Sequence, residues 1–100
     1  GQIVGLSGGK DAKRLERLLD TLEGARSLAE LGVSSNHKVP KRLTGTRTDN
    51  TIAGHVHLGL GRNDFLGGNS KGEVHLDVMV TWATLRLDGK PILEEGELRI

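Results

Sequence analysis

The chain has 100 residues, room for one domain with a small core, because a chain this short buries only about two-thirds of its unfolded surface. Its rings are confined to Phe65 and Trp82, so the core must be aliphatic, and a net charge of +1 gives no basic field to attract nucleic acid or membrane. The absence of cysteine removes disulfides and thiolate metal sites and suits a reducing, cytoplasmic setting, and no apolar run approaches the roughly 18 residues that span a bilayer.

In chain order, Gln2 to Leu6 reads as a short strand leading into the turn Ser7-Gly8-Gly9. Leu15, Leu18, Leu19 and Leu22 then follow the i, i+3, i+4, i+7 spacing of an amphipathic helix, with Lys13, Arg14, Glu16, Arg17 and Asp20 on the other face. Asp11 is the expected N-cap and Gly24 the expected stop. Leu28 to Val33 is a second apolar run, read as a strand carrying one carboxylate, Glu30. Residues 34 to 50 have loop composition, with Pro40, Gly45 and scattered polar residues.

Ile52 to Leu60 alternates strictly. Ile52, Gly54, Val56, Leu58 and Leu60 share one face, and Ala53, His55, His57 and Gly59 the other. A glycine-rich loop over 61–72 leads to a further strand with Val74, Leu76, Val78 and Val80 on one side and His75, Asp77 and Met79 opposite. Asp88-Gly89, between Thr84–Leu87 and Pro91–Leu93, is a hairpin signal. The pattern predicts an α+β fold, one main amphipathic helix against a mostly antiparallel or mixed sheet. The abrupt N-terminus at Gly1 and the alternation that stops at Ile100 suggest that residues 1–100, read as a single domain, are a piece of a longer protein.

The chemistry lies in two spacings. His55-Val56-His57 and His75-Leu76-Asp77 each place two metal-competent groups at i and i+2, which a strand projects to one face. The opposite face of each strand is aliphatic, so the imidazoles and the carboxylate are expected on the non-core face or in a cleft. Two imidazoles and a carboxylate suit zinc, cobalt, manganese or ferrous iron, and two His with one carboxylate is the arrangement of non-haem iron oxygenases. Glu30, read from its surroundings alone, is an edge-strand glutamate facing water. The run Gly5 to Lys10 has the wrong glycine spacing for a phosphate loop, with Asp11 in place of Ser or Thr. The basic stretch Lys38, Lys41, Arg42 and Arg47 has no aromatic on which to stack a base.

The segments A-E-L-G-V-S-S-N (29–36), I-A-G-H-V-H-L-G-L-G-R-N (52–63), G-G-N-S-K-G-E-V-H-L-D (67–77) and L-D-G-K-P-I-L-E-E-G-E-L (87–98) resemble, in order and spacing, the end of the thermophilic metalloaminopeptidase family, the aminopeptidase T-like leucyl aminopeptidases. The resemblance implies that this piece is the C-terminal metal-binding part of a larger α/β metalloenzyme. It implies a metal set of Glu30, His57, His75 and Asp77, with His55 as a supporting group behind it. Asn63, Gly67, Gly68 and Asn69 would form a loop shaping the approach of substrate. It implies a hydrolase, cytoplasmic and homodimeric in the intact protein, in which zinc, cobalt or manganese activates water to remove N-terminal amino acids from a peptide. No nucleic acid or membrane partner is expected.

Two features depart from that family. Its first glutamate lies upstream of the matched segments, and its assisting tyrosine has no counterpart in a chain without Tyr; Asn63, Asp64 and Phe65 occupy that stretch. A related branch of the same fold consists of Fe(II)-dependent ring-cleaving dihydroxypyridine dioxygenases, for which His57, His75 and Asp77 would be the iron set. That reading, with a small-molecule substrate, is the alternative, and a non-catalytic fragment is the third.

Overall fold

In the computed structural model, which describes residues 1–100, the first regular element is helix α1 (Lys10–Thr21). Of its apolar stripe, Leu19 is buried and Leu15 and Leu22 pack beside it, as the spacing predicts, while Leu18 stays exposed. The start of the helix differs from expectation. Gly9 is the N-cap, and Asp11 lies inside the first turn, where a carboxylate still favours the positive end of the helix dipole. Beyond the C-cap Leu22, Gly24 has φ 72°, and a side chain there would run into the carbonyl of Lys71.

The N-terminal segment does not form the expected strand. It makes one isolated bridge, Gln2 to Ser27, and Val4 is 97 % exposed. Around that bridge the Ile3 amide donates to the Arg26 carbonyl at 2.8 Å and the Leu28 amide to the Gly1 carbonyl at 2.9 Å, and side chains supply the other bonds. Arg26 donates from Nη1 to the Ile3 carbonyl at 3.0 Å and from Nη2 to Glu16 at 2.6 Å, while the Leu6 amide donates to Glu16 at 3.0 Å. These bonds staple the segment to α1.

Two three-stranded antiparallel sheets complete the α+β fold. The first contains β1 (Leu28–Val33), β2 (Val56–Gly61) and β3 (His75–Val80), with β2 in the middle. The strand expected from Ile52 begins only at Val56. Ile52 is extended but makes only an isolated bridge to Asn36 after the 3₁₀ turn over Arg47–Thr51, and Gly54, at φ 90°, breaks the run before Val56. The second sheet contains β4 (Leu85–Leu87), β5 (Lys90–Glu94) and β6 (Glu97–Leu98). Asp88 at φ 49° and Gly89 at φ 80° form the expected hairpin turn, the two positive φ values being those of a type I′ turn. Glu95 at φ 48° and Gly96 at φ 81° repeat it between β5 and β6, a second hairpin that the sequence reading left unassigned.

The chain forms two compact units. One comprises Gly1–Glu30 and Leu58–Val78, the other Leu31–His57 and Met79–Ile100. The core of the first is Leu19, Ala25 and Leu60, with partly buried Ile3, Leu58, Leu76 and Val78 around it. The core of the second is Val56, Ala83 and Leu93, backed by Leu85 and Leu98. No helix is long and apolar enough to cross a membrane.

Candidate metal centre

In the first unit, β1 carries Glu30, and β3 carries His75 and Asp77 on one side of the strand, as the i, i+2 spacing predicts. One ligand atom from each of these three side chains lies within 4.8 Å of the other two. His75 Nε2 is 3.0 Å from Glu30 Oε2 and 3.1 Å from Asp77 Oδ1. The side chains of Glu30, His75 and Asp77 are 27 %, 17 % and 26 % exposed respectively, so the group is partly open to solvent.

The strand between them leaves room for this. A Cβ at Gly59 of β2 would lie 2.7 Å from Glu30 Cβ, 2.7 Å from His75 Cε1 and 2.9 Å from its Nε2. Any side chain at 59 would fill the space between Glu30 and His75. Gly59 was missing from the sequence-based site, although its place on the His57 face of the alternating strand was already visible in the H-x-H-x-G spacing.

The tautomer of His75 follows from its other nitrogen. Nδ1 is 2.6 Å from the Arg62 carbonyl oxygen, which can only accept, so Nδ1 carries the hydrogen. Nε2 therefore faces two carboxylate oxygens either as a lone pair or as an imidazolium N–H. A neutral imidazole would set three acceptors against one another, and only a cation among them, a proton or a metal ion, relieves that. A backbone carbonyl fixing one imidazole nitrogen while the other faces carboxylates is how proteins prepare a histidine for a metal. Adjacent ligands on a first-row ion, at bonds of about 2.0–2.2 Å, stand roughly 3 Å apart, so the residues fit such an ion.

The segment after β2 holds this arrangement in place. The Arg62 amide donates to the Val74 carbonyl at 2.8 Å, and its guanidinium donates twice to Asp64, both at 2.7 Å. That bidentate hydrogen bond holds the Asp64 carboxyl below its ordinary range and raises Arg62. Asn63 Nδ2 donates to the Ala29 carbonyl at 2.8 Å, next to Glu30, while its Oδ1 accepts from the Ser70 amide at 2.8 Å. Phe65 stands edge-on to His75, with ring centroids 4.9 Å apart and planes at 83°.

Of the residues singled out from sequence, then, Glu30, His75 and Asp77 come together, and Glu30 is not the water-facing edge residue its surroundings suggested. His57 belongs to the second unit, where its imidazole occupies the space a Cβ on Gly32 would need. His55, in the same unit, is 3 % exposed, lies edge-on to Trp82 at 5.9 Å, and buries an Nδ1 that makes no hydrogen bond. Its side chain is therefore covered instead of lining an open face. In the loop, Asn63 spends its amide on backbone partners, Gly67 closes the short 3₁₀ turn Asp64–Leu66 at φ 87°, Gly68 packs where only a hydrogen clears Asn63, and Asn69 is exposed. Phe65, like Gly59, was not among the residues expected at the site.

The family model NicX, described as 2,5-dihydroxypyridine 5,6-dioxygenase, matches residues 1–100. No curated protein and no solved structure gives a significant match. The family match overturns the metalloaminopeptidase assignment, and with it the hydrolase, aminopeptidase and metalloprotease reading. The reason is physical: the shared motifs are His and carboxylate pairs on strands, which report how an ion is held and not what it is used for. The missing tyrosine, which the peptidase chemistry would call on, agrees with the correction.

Proposed function

The chain belongs to the 2,5-dihydroxypyridine 5,6-dioxygenase family, and on that premise we propose that it holds a ferrous ion at Glu30, His75 and Asp77 for the oxygen-dependent opening of a dihydroxypyridine ring. The observation that carries the proposal is the gathering of three ligand atoms within 4.8 Å of one another, with the Nδ1 hydrogen of His75 held by the Arg62 carbonyl. Ferrous iron, when bound, supplies the one-electron chemistry that dioxygen needs to react with an electron-rich ring.

The chain's own residues do the rest. Glu30 and Asp77 bring two negative charges against a dication, so the loaded site carries no net charge in partly buried surroundings. His75 contributes the imidazole that makes an oxygen-rich set suited to iron instead of calcium or magnesium. Gly59 keeps the space between Glu30 and His75 free of side chain.

The test is oxygen uptake by the iron-loaded full chain with 2,5-dihydroxypyridine. One dioxygen consumed per ring opened, abolished in Asp77→Asn, is the expected result. Iron binding without dihydroxypyridine-dependent oxygen uptake would overturn the proposal.

A further inference from the structure

Phe65 is one of two aromatic residues in the chain, and it is not spent on a core: it is 59 % exposed beside the three converging ligand atoms. What sets this exposed ring apart is its place against His75. The contact at 83° leaves most of the phenyl surface uncovered.

The ring is also held firmly for a surface residue. It sits in the 3₁₀ turn Asp64–Leu66, whose ends are fixed by the Leu66 amide donating to the Asn63 carbonyl at 2.9 Å and the Gly67 amide donating to the Asp64 carbonyl at 3.0 Å. The Arg62–Asp64 pair and the two side-chain bonds of Asn63 hold the residues before it. A pre-positioned exposed ring loses little conformational entropy when a ligand covers it.

We propose that Phe65 is the aromatic wall of the substrate site, against whose open face a planar, electron-rich six-membered heteroaromatic ring stacks while its oxygen substituents reach toward the group formed by Glu30, His75 and Asp77. Phe65 is a positioning and specificity residue in this role; it does not touch the ion. The assignment rests on the dioxygenase reading and names the residue that selects for a flat ring. Offset or edge-to-face aromatic pairs at centroid separations of about 4.5–7 Å contribute beyond simple burial.

The experiment measures anaerobic binding of two ligands to the iron-loaded full chain by calorimetry: 2,5-dihydroxypyridine, and acetohydroxamate, an oxygen chelator without a ring. Phe65→Leu keeps an apolar side chain but removes the π face. It is expected to weaken the dihydroxypyridine about three- to ten-fold, to leave acetohydroxamate unchanged, and to recover in Phe65→Trp. Equal weakening of both ligands would show that Phe65 only supports His75, and no weakening of either would show that the substrate ring lies elsewhere; both overturn the inference. A wild-type chain that binds acetohydroxamate but not the dihydroxypyridine would instead overturn the dioxygenase reading, and this inference with it.

Discussion

Replacing Gly59 by alanine puts a methyl group between Glu30 and His75, and the structure sets the size of the effect. The added carbon would sit 2.7 Å from Glu30 Cβ and from His75 Cε1, against ordinary contacts of 3.4 Å or more. The imidazole must retreat by more than half an ångström, which pulls Nε2 off the point it shares with the two carboxylates. Overpacking of this kind costs about 1–3 kcal/mol in the metal-free protein. Misorienting a ligand costs about 10–100-fold in metal affinity. At 100 times the wild-type dissociation constant, bound iron adds about 2.7 kcal/mol to the wild type and only about 0.4–1.4 kcal/mol to the variant. For a domain of this length that corresponds to an iron-induced rise in Tm of about 11–22 °C falling to about 2–11 °C. Thermal unfolding under anaerobic conditions, with and without ferrous iron, reads both increments, and comparing increments removes the variant's lower baseline. An undiminished iron-induced rise in Gly59→Ala would refute the placement of the ion between these strands.

Three further expectations follow from the same packing. Leu19→Ala, which empties the centre of the first unit's core, is expected to lose about 2–5 kcal/mol in urea unfolding. Asn63→Ala strips partners from the Ala29 carbonyl and the Ser70 amide, so it is expected to cost about 1–3 kcal/mol and to speed hydrogen exchange at Ser70. The Thr44 amide, with further bonds from the Thr44 hydroxyl and the Gly45 amide, holds the Asp49 carboxyl below its ordinary value of 3.8. A depressed folded-state value means that this stabilisation is complete above the ordinary pKa and is lost as pH falls through the lowered one. The wild-type advantage over Asp49→Asn in denaturant midpoint should therefore hold from neutral pH down to about 4 and fade below it. An advantage that persisted unchanged in stronger acid would contradict the assignment.

How far the sequence could be read depended on where the determining forces were local. The leucine spacing of α1, the alternation of β3 and the Asp88-Gly89 turn are set by neighbours along the chain, and all three lie where expected. The Gln2–Leu6 segment is apolar enough for a strand, but its bonds come from Arg26 and Glu16, twenty-odd and ten positions away, which no local pattern shows. Gly54 at φ 90° cut four residues from the start of the alternating run in the same way, since a glycine reads in sequence as a neutral member of either face.

At the site, the H-x-D pair placed His75 and Asp77, while Glu30 joined them only through the pairing of its strand β1 with β2, a long-range event that its own surroundings concealed. Gly59 and Phe65 escaped because each matters for what it leaves open: space in one case, a bare ring face in the other. The reaction was the least legible of all. Residues that hold a divalent ion look alike whether that ion activates water or dioxygen, and the match of the whole chain to a dioxygenase family decided between them.

The most direct test of the central claim is anaerobic calorimetric titration of ferrous iron into the full chain and into His75→Gln and Asp77→Asn. One ion bound per wild-type chain, with affinity collapsing in both variants, is the result predicted by three ligand atoms within 4.8 Å of one another. Iron binding of equal strength in all three proteins would place the ion elsewhere and contradict the account.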